Sequence, residues 1–395
     1  MNQNPWAVPE TSSGTTEPDL TDQANRQTIQ KVVFMTECLI VGGGIIGMLT
    51  ANELHTAGMA VALVEKGHPG RESSWAGGGI VSPLYPWRYD DSISKLAQWS
   101  QAHYSEIARM LIDAGGPDPE YLKSGLLILE PTDTDRATAW SGRFDQPLHL
   151  IDQEGISQCE PRLDTEATEA VWLPDVAQIR NPRLTKSLYH AIRQKITIHE
   201  QTEVTELLIE QGRVRGVKTP TGILEADRVI VCAGAWSGDL LSDIVTPPAI
   251  EPVLGQMIIF RHQPGAITRI VLHNDRYIIP RKDGRVLVGS TLEYRGFDKH
   301  TTEQAKQELK AFALAHFPSL GEAEIEHHWA GLRPGSPSGI PYIGPIPEID
   351  GLYLNAGHFR NGVVLGPAST RLMADIVLES TPILSPGPYA IDAER

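Results

Sequence analysis

The chain has 395 residues, 41% hydrophobic and 21% charged, which is long enough for two domains or one large composite. No apolar run approaches the about 20 residues a membrane-spanning helix needs, which excludes a helical transmembrane protein. Lys and Arg total 34 against 49 Asp and Glu, a formal net charge of -15 with no local basic patch, which argues against a nucleic-acid partner. The three cysteines, Cys38, Cys159 and Cys232, are far apart and form no C-x-x-C pair, as in a reduced, cytoplasmic chain without structural zinc. The 13 histidines lack ligand spacing; His327 and His328 are adjacent and would point opposite ways on a strand.

Residues 1–34 are rich in Thr, Ser, Pro, Asn, Gln and acidic side chains, lack apolar periodicity and carry no hydrophobic segment of signal-peptide type. They read as a disordered extension. A translation start at Met35 would account for the segment equally well.

From Cys38 the pattern is strand, glycine turn, helix, strand. Cys38 to Val41 is apolar throughout, Ile46, Leu49, Ala51 and Leu54 share a helical face that ends at Gly58, and Val61 to Val64 forms a second buried strand. This βαβ unit predicts a parallel sheet covered on both faces. Gly42, Gly44 and Gly47 form G-x-G-x-x-G between strand and helix, where backbone N–H groups and the helix N-terminus can approach a pyrophosphate. Alone the motif is weak. Glu65 at the end of the second strand strengthens it, because a carboxylate there accepts hydrogen bonds from both ribose hydroxyls and disfavours a 2′-phosphate. NAD and FAD share this fingerprint. A second polar, small-residue loop, Arg71 to Gly79, suits close passage beneath an extended dinucleotide and the ring beyond it.

Farther along, turn signals at Gln211-Gly212 and Thr221-Gly222 mark an antiparallel meander leading into the apolar strand Val229 to Cys232, so the nucleotide domain reads as discontinuous. Ser237 reads as capping the turn after that strand. Tyr277 to Thr291 reads as a hairpin around Asp283-Gly284, with Tyr277-Ile278-Ile279 facing Val286-Leu287-Val288 in a different, mostly antiparallel sheet. Thr301 with Gln304 forms a capping-box signature for a helix running to about His316. His328 to Gly335 delivers Arg333 at the end of a strand. Gly357 to Gly362 reads as strand, turn and then a helix with Pro367 at its first position, whose N-terminus stabilises developing negative charge.

Val41 to Gly47, Tyr277-Ile278-Ile279-Pro280-Arg281-Lys282, Trp329 to Gly335 and Gly357 to Gly362 together resemble the glycine oxidases of thiazole biosynthesis, within the D-amino-acid-oxidase-like flavoproteins. The resemblance spans nearly everything from Met35 to the C-terminal helix. It implies an α/β fold in which an FAD-binding Rossmann-like domain (35–90, 175–250 and 330–395) is interleaved with a mostly antiparallel substrate domain (91–174 and 251–329). Ile45, Ile46, Glu65, Lys66, Glu72, Ser73, Gly77, Gly78 and Gly79 would then line the dinucleotide with Gly42, Gly44 and Gly47, and Val204 would contact the adenine through its backbone. His358, Phe359, Arg360, Asn361, Gly362, Val363 and Val364 would line the flavin. Arg333 would hold a substrate carboxylate and place the amino-acid Cα over flavin N5, with Arg360 near the substrate.

Oxidation of an amine by hydride transfer to a flavin asks the protein for positioning and electrostatics rather than an acid or base, which fits a sequence with no obvious catalytic triad. A guanidinium can grip a carboxylate through two parallel hydrogen bonds, and Trp329 and Leu332 give Arg333 a buried approach. Tyr277 could donate to the same carboxylate or simply pack across the hairpin, and Arg360 could contact flavin or substrate or form a structural ion pair. The expected reaction gives an imine that becomes glyoxylate and ammonia or is handed to a thiazole synthase, with O2 reduced to hydrogen peroxide. Leu292, Asp275 and Trp75 depart from the family pattern and put pocket size and substrate range in question. The alternatives are a D-amino acid or sarcosine oxidase or dehydrogenase of the same fold and, from another class, a non-catalytic FAD-binding assembly or sensor protein. A homo-oligomer stays open.

Overall fold

Cys38–Val41 can be apolar at every position because it lies at the middle of a sheet, with parallel neighbours on both edges: Val61–Val64 and Arg228–Val231. The computed structural model describes residues 36–246 and 248–394, so the expected disordered extension over 1–34 lies outside the described residues. The sheet has six strands, in the order Tyr342–Pro345, Leu352–Ala356, Arg228–Val231, Cys38–Val41, Val61–Val64 and Thr197–His199. All pair in parallel except the edge strand Tyr342–Pro345. Alternation of side chains sends Cys38, Ile40, Leu63 and Ile230 to one face, against helices Ile45–Thr56, Asp91–Asp113, Asn181–Ile192 and Gly362–Val377. Leu39, Val41, Val64 and Val229 go to the other, against the expected meander of Glu206–Glu210, Arg213–Thr219 and Gly222–Glu225.

The second large sheet has eight strands, in the order Ile325–Gly335, Glu251–Arg261, Arg285–Gly289, Arg276–Pro280, Ile270–His273, Leu126–Leu129, Glu169–Leu173 and His149–Asp152. It is antiparallel except between Ile270–His273 and Leu126–Leu129. The expected hairpin is present, with Ile278 opposite Val288 and Ile279 opposite Leu287. Helix Glu303–His316 packs through Leu309 and Ala313 onto Ile258, Phe260 and Val288 of this sheet.

Three local expectations are corrected. The N-cap of Glu303–His316 is Thr302, not Thr301: its Oγ1 accepts from Ala305 N at 3.3 Å. The Thr302 N–H donates to the Gln256 side chain at 2.8 Å, so a residue of the sheet does what a capping-box glutamine would, and Gln304 instead pairs with Glu308. Pro367 lies inside Gly362–Val377 rather than at its start. A proline there leaves the carbonyl four residues back without its helical donor, and the Tyr104 hydroxyl donates to that carbonyl, Val363 O. The neighbouring Ala368 N–H donates to Ser100 Oγ at 3.0 Å, so helix Asp91–Asp113 braces the proline turn twice. Finally, Ser237 opens the short helix Ser237–Leu241 with its hydroxyl buried and, among the described residues, unpartnered, so it does not cap the turn.

Candidate functional site

At the carboxyl ends of the parallel strands the chain encloses a cavity of about 580 Å3, within the range of small-molecule sites. Its dinucleotide end is built by the glycine turn. Gly42 has φ +111°, and a Cβ there would stand 2.4 Å from Cys232 O. A Cβ on Gly47 would stand 1.9 Å from Gly42 O, so Gly47 lets the helix close against the turn and does not itself line the cavity. Gly44 caps helix Ile45–Thr56 without a side-chain hydrogen bond. The Ile45 N–H donates to Ser74 Oγ at 2.9 Å, joining the first loop to the second. Glu65 accepts from Gly43 N at 2.7 Å and from Gly67 N at 2.8 Å, so its carboxylate is held at the turn.

The second loop is not wholly irregular, since Ser73–Ala76 makes one helical turn. Asn181 Nδ2 donates to Ser74 O at 2.9 Å and Trp329 Nε1 to Ala76 O at 3.1 Å. Trp75 stacks edge-on with Trp329, their ring centres 5.7 Å apart, and lies outside the cavity wall. Lys66 Nζ stands 3.2 Å above the Trp236 ring, its pKa lowered chiefly by burial, and Trp236 stacks on Phe297. Glu72 pairs with Lys299 Nζ at 3.0 Å.

The far end carries the charged groups. Arg333 projects from Ile325–Gly335 with Nη2 donating to Ser290 Oγ at 2.7 Å and Nη1 facing Leu254 O and Thr291 O, each at 3.2 Å. Gly255 makes room for it, as a Cβ there would stand 2.1 Å from Arg333 Nη2. Burial lowers the pKa of Arg333, and among the described residues no carboxylate lies within 4.0 Å of it. Tyr277 lines the same end with its hydroxyl 3.8 Å from Met257 Sδ. Arg360 lines the cavity and stands 3.8 Å from Asp275, an ion pair that neutralises part of its charge. Leu292 is 48% exposed and outside the wall, so it does not set the pocket volume; Met257 and Ser290 face the cavity instead.

The remaining wall is the turn before Gly362–Val377. Asn355 Nδ2 donates to Ser369 O at 3.3 Å, which orients the amide, so its Oδ1 accepts the Ser369 hydroxyl proton at 3.0 Å. Ser369 Oγ therefore accepts from His358 Nε2, 2.6 Å away, which leaves Nδ1 as the bare nitrogen of a neutral ring. Burial pushes the His358 pKa down to about 3. Gly362 and Val363 open the helix at the cavity, whereas Val364 is buried in the helical core behind it. Asn361 Nδ2 is buried in the cavity wall without a partner among the described residues.

The donor set fits a flavin dinucleotide. An unpartnered amide donor and a helix N-terminus sit at one end and a carboxylate-bearing glycine turn at the other, with Ile45, Ile46, Val204 and Gly77 to Gly79 between. The sequence profile of the family described as "FAD dependent oxidoreductase" matches residues 37–376. The chain belongs to this family.

It is 48% identical over 354 residues to the glycine oxidase of Pseudomonas aeruginosa, covering 89% of this chain and 97% of that protein. It is 30% identical to the bifunctional protein ThiO/ThiG of Nostoc sp., over 88% of this chain but 54% of that protein. The crystal structure of glycine oxidase from Geobacillus kaustophilus superposes with a TM-score of 0.86 at 27% identity, covering 91% of this chain and 99% of that one.

Of the residues expected from sequence to bind cofactor or substrate, Gly47 and Val364 alone stand outside the cavity wall. Ser74, Trp236, Gly255, Met257 and Ser290 were missed. Ser74 sits in a loop already singled out, and its hydroxyl beside the glycine turn is the signal that was there to find. Gly255 and Ser290 lie in strand and loop sequences that carry no motif: Gly255 reaches the site because its strand pairs with the Arg333 strand, and Ser290 because it follows Arg285–Gly289, the strand on the other edge of Glu251–Arg261.

Proposed function

We propose that this chain is an FAD-dependent glycine oxidase, converting glycine, O2 and water to glyoxylate, ammonia and hydrogen peroxide, and that it accepts other small amines and D-amino acids. The observation that carries the reading is Arg333, a guanidinium in the wall of a flavin-type cavity, anchored to Ser290 and, among the described residues, with no carboxylate within 4.0 Å. Such a group is completed by an anionic ligand small enough to share the end of the cavity, and an amino-acid carboxylate matches it through two parallel hydrogen bonds. Bound FAD supplies the two-electron acceptor for this chemistry.

In this reading Glu65 holds the ribose hydroxyls, the turn from Gly42 and the N-terminus at Ile45 receive the pyrophosphate, and Val204 meets the adenine. Asn361 and the start of Gly362–Val377 receive the ring. Arg333 and Tyr277 orient the substrate, and Arg360, partly neutralised by Asp275, borders it. No side chain is asked to act as acid or base. In the same proposal the interleaved cofactor and substrate domains are drawn by the two large sheets, which moves helix Asp91–Asp113 to the cofactor domain and all of strand Ile325–Gly335 to the substrate domain. Delivery of the imine to a thiazole synthase accords with the bifunctional ThiO/ThiG relative of Nostoc, and we place both steps in the cytoplasm.

The test is the visible spectrum of the purified holoprotein titrated with glycine in the absence of oxygen. Bleaching of the oxidised-flavin band, followed by recovery and peroxide release on admitting O2, is expected. A band that glycine leaves unchanged would reject the substrate, and a colourless protein that does not take up FAD would reject the whole reading.

A further inference from the structure

Arg281 is 6% exposed, and among the described residues no carboxylate lies within 4.0 Å of its guanidinium. Burial lowers its pKa to about 10. A buried charge without a counter-ion is costly, so its hydrogen bonds must account for its presence. Nη2 donates to Gly78 O at 2.7 Å, and Nη1 to Gln178 Oε1 at 2.8 Å and Ile179 O at 3.2 Å. Ile179 N in turn donates to Gly79 O at 2.8 Å. One planar fork therefore joins two chain segments that have no sequence proximity, the Gly77 to Gly79 loop and the segment ahead of helix Asn181–Ile192.

Arg281 follows strand Arg276–Pro280, and alternation puts it on the same face as Tyr277 and Ile279. Those two side chains are what Gly78 rests on: a Cβ added to Gly78 would stand 3.0 Å from Ile279 Cδ1 and 3.0 Å from Tyr277 Cε2. The strand thus carries its own spacer and its own clamp. Tyr277 and Ile279 set how near the loop can come, and Arg281 draws it in by its carbonyl. Gly78 and Tyr277 line the cavity, whereas Arg281 does not.

We propose that Arg281 is a positioning residue for the oxidation, fixing the Gly78–Gly79 backbone against Tyr277 so that the cofactor loop and the substrate wall keep a single spacing. The inference rests on the FAD-dependent reading. Lysine keeps the charge but cannot bridge three acceptors in one plane, which separates clamping from electrostatics.

The test compares the wild type with R281K, R281M and G78A, in each case measuring thermal melting, the dissociation constant of FAD from the apoprotein, the position of the bound-flavin band, and kcat and KM for glycine. Loss of the clamp should weaken FAD binding about 10- to 100-fold in R281M, as for a lost charge-assisted hydrogen bond. R281K should melt near the wild type yet show a shifted flavin band and a kcat that falls more than KM rises. G78A, which lifts the same loop from the same strand, should reproduce that signature. Wild-type FAD affinity, band position and kcat in R281K or in G78A would overturn the inference, and these two variants decide it if R281M fails to fold. A wild-type protein that binds FAD but ignores glycine would refute the substrate assignment instead, leaving the affinity and spectral arms to judge Arg281.

Discussion

Replacing Arg333 by alanine removes the guanidinium that faces the far end of the cavity, along with its bonds to Ser290 Oγ, Leu254 O and Thr291 O. A hydrogen bond to a charged group contributes about 1.5–3 kcal/mol, so losing the grip on the substrate carboxylate should lower kcat/KM for glycine by about 10- to 150-fold, at about 1.4 kcal/mol per tenfold. Ser290 Oγ and Thr291 O also lose the Arg333 donor, whereas Leu254 O keeps the Glu293 N–H at 3.0 Å, and that part of the damage is indifferent to which substrate is present. The two contributions separate when glycine is compared with methylamine, which presents the amine but no carboxylate, under steady-state conditions with peroxide formation as the assay. Arg333→Ala should depress the glycine rate and leave the much slower methylamine rate nearly unchanged. An equal fall for both amines would mean that Arg333 only props the wall, and unchanged glycine kinetics would remove it from the site.

Gly42→Ala forces a Cβ to within 2.4 Å of Cys232 O at φ +111°, so the turn must open; the variant should purify with little flavin and melt below the wild type by calorimetry. Tyr104→Phe removes the donor to Val363 O beside Pro367 and should cost about 1–3 kcal/mol in denaturant unfolding, because Pro367 supplies no N–H to replace it. His358 is neutral in the folded protein down to about pH 3, whereas the unfolded ring takes up a proton near pH 6.5, so it costs stability increasingly as pH falls through that window. His358→Gln should therefore flatten the pH dependence of unfolding free energy between pH 6.5 and 3, and an unchanged slope would show the ring to be protonated in the native state.

The cofactor half of the site was legible because its signals are local. The Cys38–Val41 strand, the glycine turn and Glu65 lie within one βαβ unit, where periodicity and turn chemistry report directly on structure. The hairpin around Gly284 was readable for the same reason. What escaped reading depends on partners distant in sequence. Thr302 becomes the cap because Gln256, on another strand, satisfies its N–H. Pro367 is tolerated inside a helix because Tyr104 and Ser100 meet the broken turn. Ser290 and Gly255 shape the seat of Arg333 only once three strands have paired. Leu292 shows the converse: a position judged from the family pattern to bear on pocket size turns out to face solvent.

The order of strands in the parallel sheet bears on how the protein is made. Cys38–Val41, synthesised early, has as its neighbours Val61–Val64 and then Arg228–Val231, and the next strand outward, Leu352–Ala356, is made later still. The helix that begins at Gly362 and closes one wall of the cavity follows that strand. A nascent chain can therefore form its first βαβ unit and its glycine turn on the ribosome while the pocket remains open on the side of the flavin, and such long-range pairing makes folding slow. Capture of the cofactor becomes a late event, possible only once the helix Gly362–Val377 has been made and can close the wall.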